Sequence, residues 1–443
     1  MFWSVSMISL RSPRPTEARI IPVGRASGGD VYCARGKLRP SVEIKTRNLR
    51  LNLVMMATTR DDSTVILTSG ASGRVNALFS LGNLRRLIFS VQALFLWILM
   101  LFERRKSCEN TEEGKNQVSY RRSLSVRKFP IVRRRNVRRD EEEDVCKRRT
   151  LAVKSREFEG SGWKYYLFLN SRGETLFVQS WTPVFRNVKA LLVLLHGLNE
   201  HSGRYKIFAR RLNARGYKVY GIDWIGHGGS DGLHGYVPSL DEVVEDTKLL
   251  LQKIRSENQG MPCFLFGHST GGSIILKAAL DPNVKEMIRG IVLTSPALRV
   301  WTAHPIFGAI APLFSLLLPR YQFSAANKQG TAVSRDPEAL IAKYSDPLVY
   351  TGPIRVRTGS EILRICSYLQ QNMKRVSVPF LVLHGIADTV TDPNASQDLY
   401  DQAASEHKAI KLYDGLLHDL LFEPEQDEIA SDILKWMDDR LEH

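Results

Sequence analysis

From residue 160 to the C-terminus, short apolar runs alternate with helix-length stretches. Eight runs are expected as strands: Trp163 to Leu169, Leu176 to Trp181, Ala190 to Leu195, Lys218 to Ile222, Cys263 to Phe266, Gly290 to Thr294, Phe380 to His384 and Ala409 to Tyr413. Several, such as ALLVLL at 190–195, show no alternation of apolar and polar positions, as expected of strands covered on both faces. Residues 240 to 256 place Val243, Val244, Leu249, Leu250 and Ile254 on one helical stripe leading into the Cys263 strand. This spacing predicts an α/β architecture, a mostly parallel central sheet flanked by helices, over residues 160–443. Between Pro296 and Val378 the regular alternation breaks. The stretches Pro305 to Ile310 and Pro312 to Pro319 form an apolar, proline-bounded patch. Residues 298–378 are therefore read as an inserted lid or cap, with ordinary core helix and a second membrane contact as the competing readings.

The N-terminal third has a different texture. Leu87 to Phe102 is a run of sixteen residues without a charge, bracketed by Arg85-Arg86 and by Glu103-Arg104-Arg105-Lys106. As a helix it would reach about 24 Å, short of the roughly 30 Å hydrocarbon core of a bilayer. It has no polar face to show water, so residues 85–106 are expected to associate with a membrane, spanning it with local thinning or lying in its interface. Residues 107–159 read as a charged linker, with basic pairs and triplets followed by the acidic run Asp140 to Asp144. Beside an apolar helix those basic residues also suit anionic headgroups. The positive charge lies mainly on the C-terminal side of the apolar run, which predicts that the region from residue 160 onward lies on the cytosolic side if the helix spans. Residues 1–55 have few acids and many Arg and Ser, fitting a transit peptide and hence a chloroplast alternative. Equally, translation could begin at Met55 or Met56.

Charge then removes one class of partner. The net charge of +16 resides wholly in residues 1–150, which hold 30 Lys and Arg against 14 Asp and Glu; residues 151–443 hold 32 of each. The folded region is balanced, so nucleic acid is not expected as a partner. The cysteines, Cys33, Cys108, Cys146, Cys263 and Cys366, are odd in number and lack CxxC spacing, which argues against disulfides and structural zinc. Cys263 opens an apolar run and reads as a buried core thiol.

The candidate chemistry starts at Gly267-His268-Ser269-Thr270-Gly271. A serine hydroxyl is a weak nucleophile unless a base takes its proton and a turn exposes its oxygen. Here an apolar strand precedes and an apolar helix start follows a GxSxG motif, the context of the nucleophile elbow in the α/β-hydrolase fold. In that fold the acid and the histidine follow the serine in the chain. His418, in the loop after the last strand, is the expected base, since the other histidine beyond that strand, His443, is the terminal residue. Asp388 is the expected acid because it follows the strand FLVLH in a loop at the sheet's C-terminal edge, with Asp392 and Asp414 as alternatives. The oxyanion requires two backbone N–H donors. Thr270, directly after the nucleophile, and Leu198, in the loop after Leu195, are the expected pair. The glycine-rich segment 221–232 lacks the Lys-Ser/Thr pair of a phosphate loop and reads as a turn-rich loop.

Five ordered motifs, HGLNEHSGRY (196–205), GIDWIGHGGSDG (221–232), GHSTGG (267–272), HGIADTVTDP (384–393) and YDGLLHDLL (413–421), resemble the monoacylglycerol lipase and caffeoylshikimate esterase group of plant α/β-hydrolases. The resemblance covers roughly residues 165–440. It implies the same triad of Ser269, Asp388 and His418, a lid-covered acyl pocket and no cofactor. It further implies that Glu200 and Arg204 lie near the alcohol end of the site, unless they form a structural ion pair. One departure bears on the alcohol: animal members carry a histidine three residues beyond the catalytic one, where this chain has Leu421. The expected function is hydrolysis of a monoacylglycerol or related lipid monoester through an acyl-enzyme on Ser269. The alternatives are a phenolic-ester esterase, a non-catalytic small-molecule receptor on the same fold, and a membrane scaffold.

Overall fold

A computed structural model of the chain describes residues 20–21, 92, 132–154, 162–300, 314–322 and 332–442. The transit-peptide segment, apart from 20–21, and the apolar segment 87–102, apart from Gln92, lie outside the described residues. Among the described residues no helix is long and apolar enough to cross a membrane.

Among the described residues, nine strands form one sheet in the order β1-β2-β3-β5-β4-β6-β7-β8-β9. They are β1 (Ile20–Ile21), β2 (Trp163–Leu169), β3 (Thr175–Trp181), β4 (Ala190–Leu195), β5 (Tyr217–Asp223), β6 (Cys263–His268), β7 (Gly290–Thr294), β8 (Phe380–Gly385) and β9 (Lys408–Tyr413). The pairs from β1 to β3, and β3 with β5, are antiparallel; β5, β4, β6, β7, β8 and β9 run parallel. All eight strands expected from the sequence are present, and the fold is the α/β-hydrolase fold.

The apolar runs are explained by two core layers. Along β4, Leu191, Val193 and Leu195 enter one layer while Ala190, Leu192 and Leu194 enter the other, as the two-residue period of a strand requires. Helices α2 (Lys206–Ala214) and α9 (Gln426–Asp439) cover one face with Phe208, Leu212, Ile433 and Met437. Helices α3 (Leu240–Glu257) and α4 (Thr270–Ala278) cover the opposite face. Ser239 caps α3 by accepting from the Glu242 N–H, so the chain enters that helix on a Ser-x-x-Glu capping signal. Three later helices, α5 (Pro282–Met287), α6 (Pro337–Ser345) and α8 (Pro393–Gln402), each begin with an Asp cap followed by proline.

Two boundaries differ from the sequence expectation. Helix α7 (Val356–Asn372) lies within the span read as lid, yet Ile362, Ile365, Cys366 and Leu369 pack into the main core. Helix α7 therefore belongs to the core and not to a lid. Within the span read as charged linker, residues 132–154 form a 23-residue helix, α1 (Val132–Lys154). Its charge blocks pair along the helix, Glu143 with Lys147 and Asp144 with Arg148. Its C-terminal half is docked, with Val145, Arg148, Arg149 and Ala152 buried. Arg148 donates to the carbonyls of Gly228, Ser230 and Gly232, and Arg149 to that of Gly229 and to the Asp231 carboxylate. Composition alone reads such arginines as solvated; the structure uses them to satisfy the carbonyls of a tight loop whose glycines leave its backbone uncovered. Cys263 is free and buried, as expected, and Cys366 is free and buried as well. Cys146 is disulfide-bonded, which corrects the expectation of no disulfides: an odd count excludes complete pairing but not a single bridge.

Replacing Arg148 with alanine would strip donors from three buried carbonyls. The expected result is a loss of about 3 kcal/mol of stability, read as a lower urea midpoint, with the exposed Arg139→Ala as the unaffected control. An unchanged midpoint in Arg148→Ala would show that α1 adds nothing to the fold.

Candidate active site

Ser269 is the single residue between β6 and α4, and its backbone sits at φ 54° and ψ −121°. A non-glycine residue there is strained by about 1–3 kcal/mol. The surrounding backbone holds it: the Ser269 N–H donates to the Thr294 carbonyl at 3.0 Å, and its own carbonyl accepts from Gly272 and Ala297 at 3.0 Å each. The flanking glycines are needed for close approach rather than for backbone freedom. Neither has a positive φ. A Cβ on Gly267 would stand 2.7 Å from the Gly271 backbone, and one on Gly271 would stand 2.4 Å from the His196 carbonyl oxygen. The serine carries the strain while the glycines let α4 press against the end of β4.

Asp388 and His418 come from the loops after β8 and β9. His418 Nδ1 lies 2.6 Å from Asp388 Oδ2, with both side chains buried. The same carboxylate oxygen meets His384 Nε2 at 3.0 Å and accepts from the Thr391 hydroxyl at 2.8 Å. The other oxygen accepts from the backbone N–H groups of Val390 and Thr391. Burial opposes the charged carboxylate, but the His418 charge and the histidine hydrogen bonds outweigh it and hold Asp388 far below the usual range. For His418, burial disfavours the protonated ring, while the charge and hydrogen bond of Asp388 raise its pKa above the ordinary 6.5 overall. With Nδ1 engaged, Nε2 is the nitrogen left for proton transfer. Ser295, a second residue at positive φ (44°), donates its hydroxyl to the His418 carbonyl at 2.8 Å and so fixes that loop.

The two alternative acids have other positions. Asp392 caps α8 through the Asn394 N–H and pairs with Arg299. Asp414 is exposed in the turn after β9.

Ser269 and His418 line one cavity together with Leu198 and Thr270. Thr270 is the first residue of α4, where a helix leaves its backbone N–H groups without intrahelical partners. The Leu198 loop is held by Glu200, whose Oε1 accepts from the Gly197 N–H at 2.6 Å and the Tyr205 hydroxyl at 2.7 Å. On its other side, His196 accepts at Nδ1 from Trp224 Nε1 at 2.9 Å. Burial pushes the His196 pKa down to about 4, so its ring is neutral.

Glu200 lines the cavity, whereas Arg204 does not. Arg204 stands behind the wall, paired with Glu200, 3.4 Å from Asp419 Oδ2 and 4.0 Å over the Phe422 ring. The geometry thus favours the structural ion pair for Arg204. Three wall residues went unread in the sequence: His268, Lys343 and Asp419. Asp419 directly follows His418 and was available to inspection. Lys343 lies on α6, where no motif marks it. His268, His418 and Asp419 bring one potential metal-ligand atom each within 4.8 Å of one another. The Lys343 ammonium already sits 2.7 Å from Asp419, however, and competes with any cation for that carboxylate.

The chain that carries this site is similar to known proteins. The family model described as serine aminopeptidase, S33 (Hydrolase_4), matches residues 186–425. The chain belongs to this family. It is 32% identical over 271 residues to a monoacylglycerol lipase of Mycolicibacterium smegmatis, covering 61% of this chain and 95% of that protein. It is equally 32% identical over 276 residues to the caffeoylshikimate esterase of Arabidopsis thaliana, covering 60% and 82%. Among solved structures, the monoacylglycerol lipase of Paleococcus ferrophilus matches at a TM-score of 0.53 and 29% identity, covering 60% of this chain and 99% of that one.

The raised His418 pKa has a checkable source. Titration of the ring protons by NMR is expected to give a midpoint above 6.5 in the native chain and a lower one in Asp388→Asn. Equal midpoints would remove Asp388 as the partner of His418.

Proposed function

We propose that the protein is a serine carboxylic ester hydrolase that cleaves monoacylglycerols through a covalent acyl-enzyme on Ser269. The observation that carries this reading is the 2.6 Å contact between Asp388 and His418 at the wall of the cavity that also receives the Ser269 elbow. Two monoacylglycerol lipases among the relatives support the choice of substrate.

The Ser269 hydroxyl oxygen attacks the ester carbonyl carbon as His418 Nε2 takes its proton. The carbonyl oxygen becomes an oxyanion and accepts hydrogen bonds from the Leu198 and Thr270 N–H groups, each typically contributing about 3 kcal/mol of transition-state stabilisation. His418 then returns the proton to the leaving alcohol oxygen, and the acyl group stays on Ser269. A water, deprotonated by the same ring, attacks the acyl-enzyme and releases the fatty acid. Asp388 fixes the tautomer throughout and stabilises the imidazolium. Ala297, Val300, Val333, Ile362 and Val390 supply an apolar wall suited to the acyl chain.

A lipid surface is the natural source of such a substrate. Leu316, Leu317, Leu318 and Tyr321 are exposed on the segment over the sheet, with Leu316 at 76%, which supports contact with a bilayer. The apolar residues 87–102 and the basic residues after them support attachment of the chain to a membrane with the hydrolase domain on the cytosolic side. Arg148 and Arg149 are excluded from that basic surface because the fold buries them.

The central test is release of fatty acid from monoacylglycerol by the purified chain and by Ser269→Ala. The expected loss is about 10^6-fold in kcat, together with loss of labelling by a fluorophosphonate. Absence of fatty-acid release by the native chain from every monoacylglycerol offered would refute the reading. Below the His418 pKa the base is protonated, so kcat/KM should fall as pH drops through it. For membrane attachment, the full chain is expected to float with anionic vesicles and a chain lacking residues 85–106 to remain behind; equal flotation would assign attachment elsewhere.

A further inference from the structure

The chemistry described so far leaves a buried carboxylate without a task. Asp419 is 1% exposed, lines the cavity and follows His418 directly. Both cations near it crowd one oxygen: Lys343 Nζ lies 2.7 Å and Arg204 Nη2 3.4 Å from Oδ2. The other oxygen, Oδ1, has no hydrogen-bond donor among the described residues. His268 Nε2 stands 3.4 Å from it, a long contact that is an ion pair when the ring is protonated. A buried charged acceptor with so loose a partner is costly, and a ligand O–H in the cavity would relieve that cost. Lys343 supplies the complementary half, since an ammonium has three donors and Asp419 takes one.

We propose that Asp419 and Lys343 form the subsite for the alcohol half of the ester and select an uncharged polyol. The proposal rests on the hydrolase reading above. Three observations fix its terms. Position comes first: His418 must hand its proton to the leaving oxygen, so the alcohol half lies beside His418, and the next residue in the chain is Asp419. Chemistry comes second, because an acceptor at Asp419 Oδ1 and a donor at Lys343 match a hydroxyl, which both gives and takes a hydrogen bond. Charge comes third. Glu200 and Asp419 on the wall are balanced by Arg204 and Lys343. A phosphate or carboxylate on the alcohol would meet two carboxylates, and a quaternary ammonium would meet Lys343, whereas a neutral polyol meets neither penalty. Lys343 also lies on α6 of the inserted segment, so recognition of the alcohol draws on the element that covers the site.

The test uses the full chain with three esters of one fatty acid: the glyceryl ester, the methyl ester, which lacks hydroxyls, and the ester of glycerol phosphate, which is anionic. The variants are Asp419→Asn and Lys343→Met. Fluorophosphonate labelling of Ser269 verifies that each variant keeps its site, and Lys343→Met carries the test should Asp419→Asn fail to label. Because the Asp419 charge helps raise the His418 pKa, a pH profile is recorded for each variant and rates are compared on its plateau. The native chain should prefer the glyceryl ester to the other two. Each variant should lower kcat/KM for the glyceryl ester relative to the methyl ester by about tenfold or more, the scale of a lost hydrogen bond to a charged group. A ratio unchanged in both variants would overturn the subsite, as would equal native turnover of the glyceryl and glycerol phosphate esters. Failure of the native chain to turn over any ester would instead strike the hydrolase reading, and the subsite would fall with it.

Discussion

The contact on which the site depends is between two pieces of backbone. The first turn of α4 lies so close to the end of β4 that a Cβ on Gly271 would stand 2.4 Å from the His196 carbonyl and 2.5 Å from that of Leu195. Only glycine permits this approach. It sets the nucleophile and the His196–Leu198 loop side by side, so a strained serine, Thr270 and Leu198 line one cavity. The strain at Ser269 persists because the contacts around it leave the residue no relaxed alternative: its N–H is tied to β7 and its carbonyl to the segment after β7.

On this scaffold the second constraint is electrostatic. Asp388 is a buried charge, which burial alone would neutralise. Two imidazoles, a hydroxyl and two backbone N–H groups converge on it instead. A carboxylate so surrounded stays ionised, and its charge is what makes His418 more basic than a free imidazole despite full burial. Thr391 and Ser295 contribute no proton to the chemistry, yet they tie the two loops together through the Ser295 carbonyl and the His418 carbonyl. Placement of the base is thus a property of three loops at once.

Much of this was legible in the sequence for identifiable reasons. The parallel strands announce themselves because both faces are buried, leaving runs such as ALLVLL with no polar position. The triad is legible because the fold fixes its order in the chain and puts loop residues at one edge of the sheet. What stayed hidden depends on contacts distant in sequence. Arg148 and Arg149 look like any solvated basic pair until the carbonyls 80 residues away that they satisfy are known. Helix α7 was folded into the lid because irregular, proline-bounded chain precedes it, although Ile362, Ile365 and Leu369 already carry a helical period. Lys343 offers no local signal at all. A lysine one turn from a helix end is ordinarily solvent-facing, and only the tertiary fold turns it toward Asp419.

Lys343 and Asp419 also show how a buried carboxylate can adjoin a general base without disabling it. A lone carboxylate one residue from His418 would add to the pull of Asp388 and drive the imidazole toward permanent protonation, which would remove the base at neutral pH. In this structure the Asp419 charge raises the His418 pKa while the Lys343 charge lowers it. The two charges are 2.7 Å apart, so their influences on the ring oppose each other, and Asp388 is the foremost of the groups that raise its basicity. In the proposed subsite the pair would set a charged acceptor and donor against the leaving group while opposing each other's influence on the base. A single charged residue at either position would trade recognition of the alcohol against the protonation state on which catalysis depends.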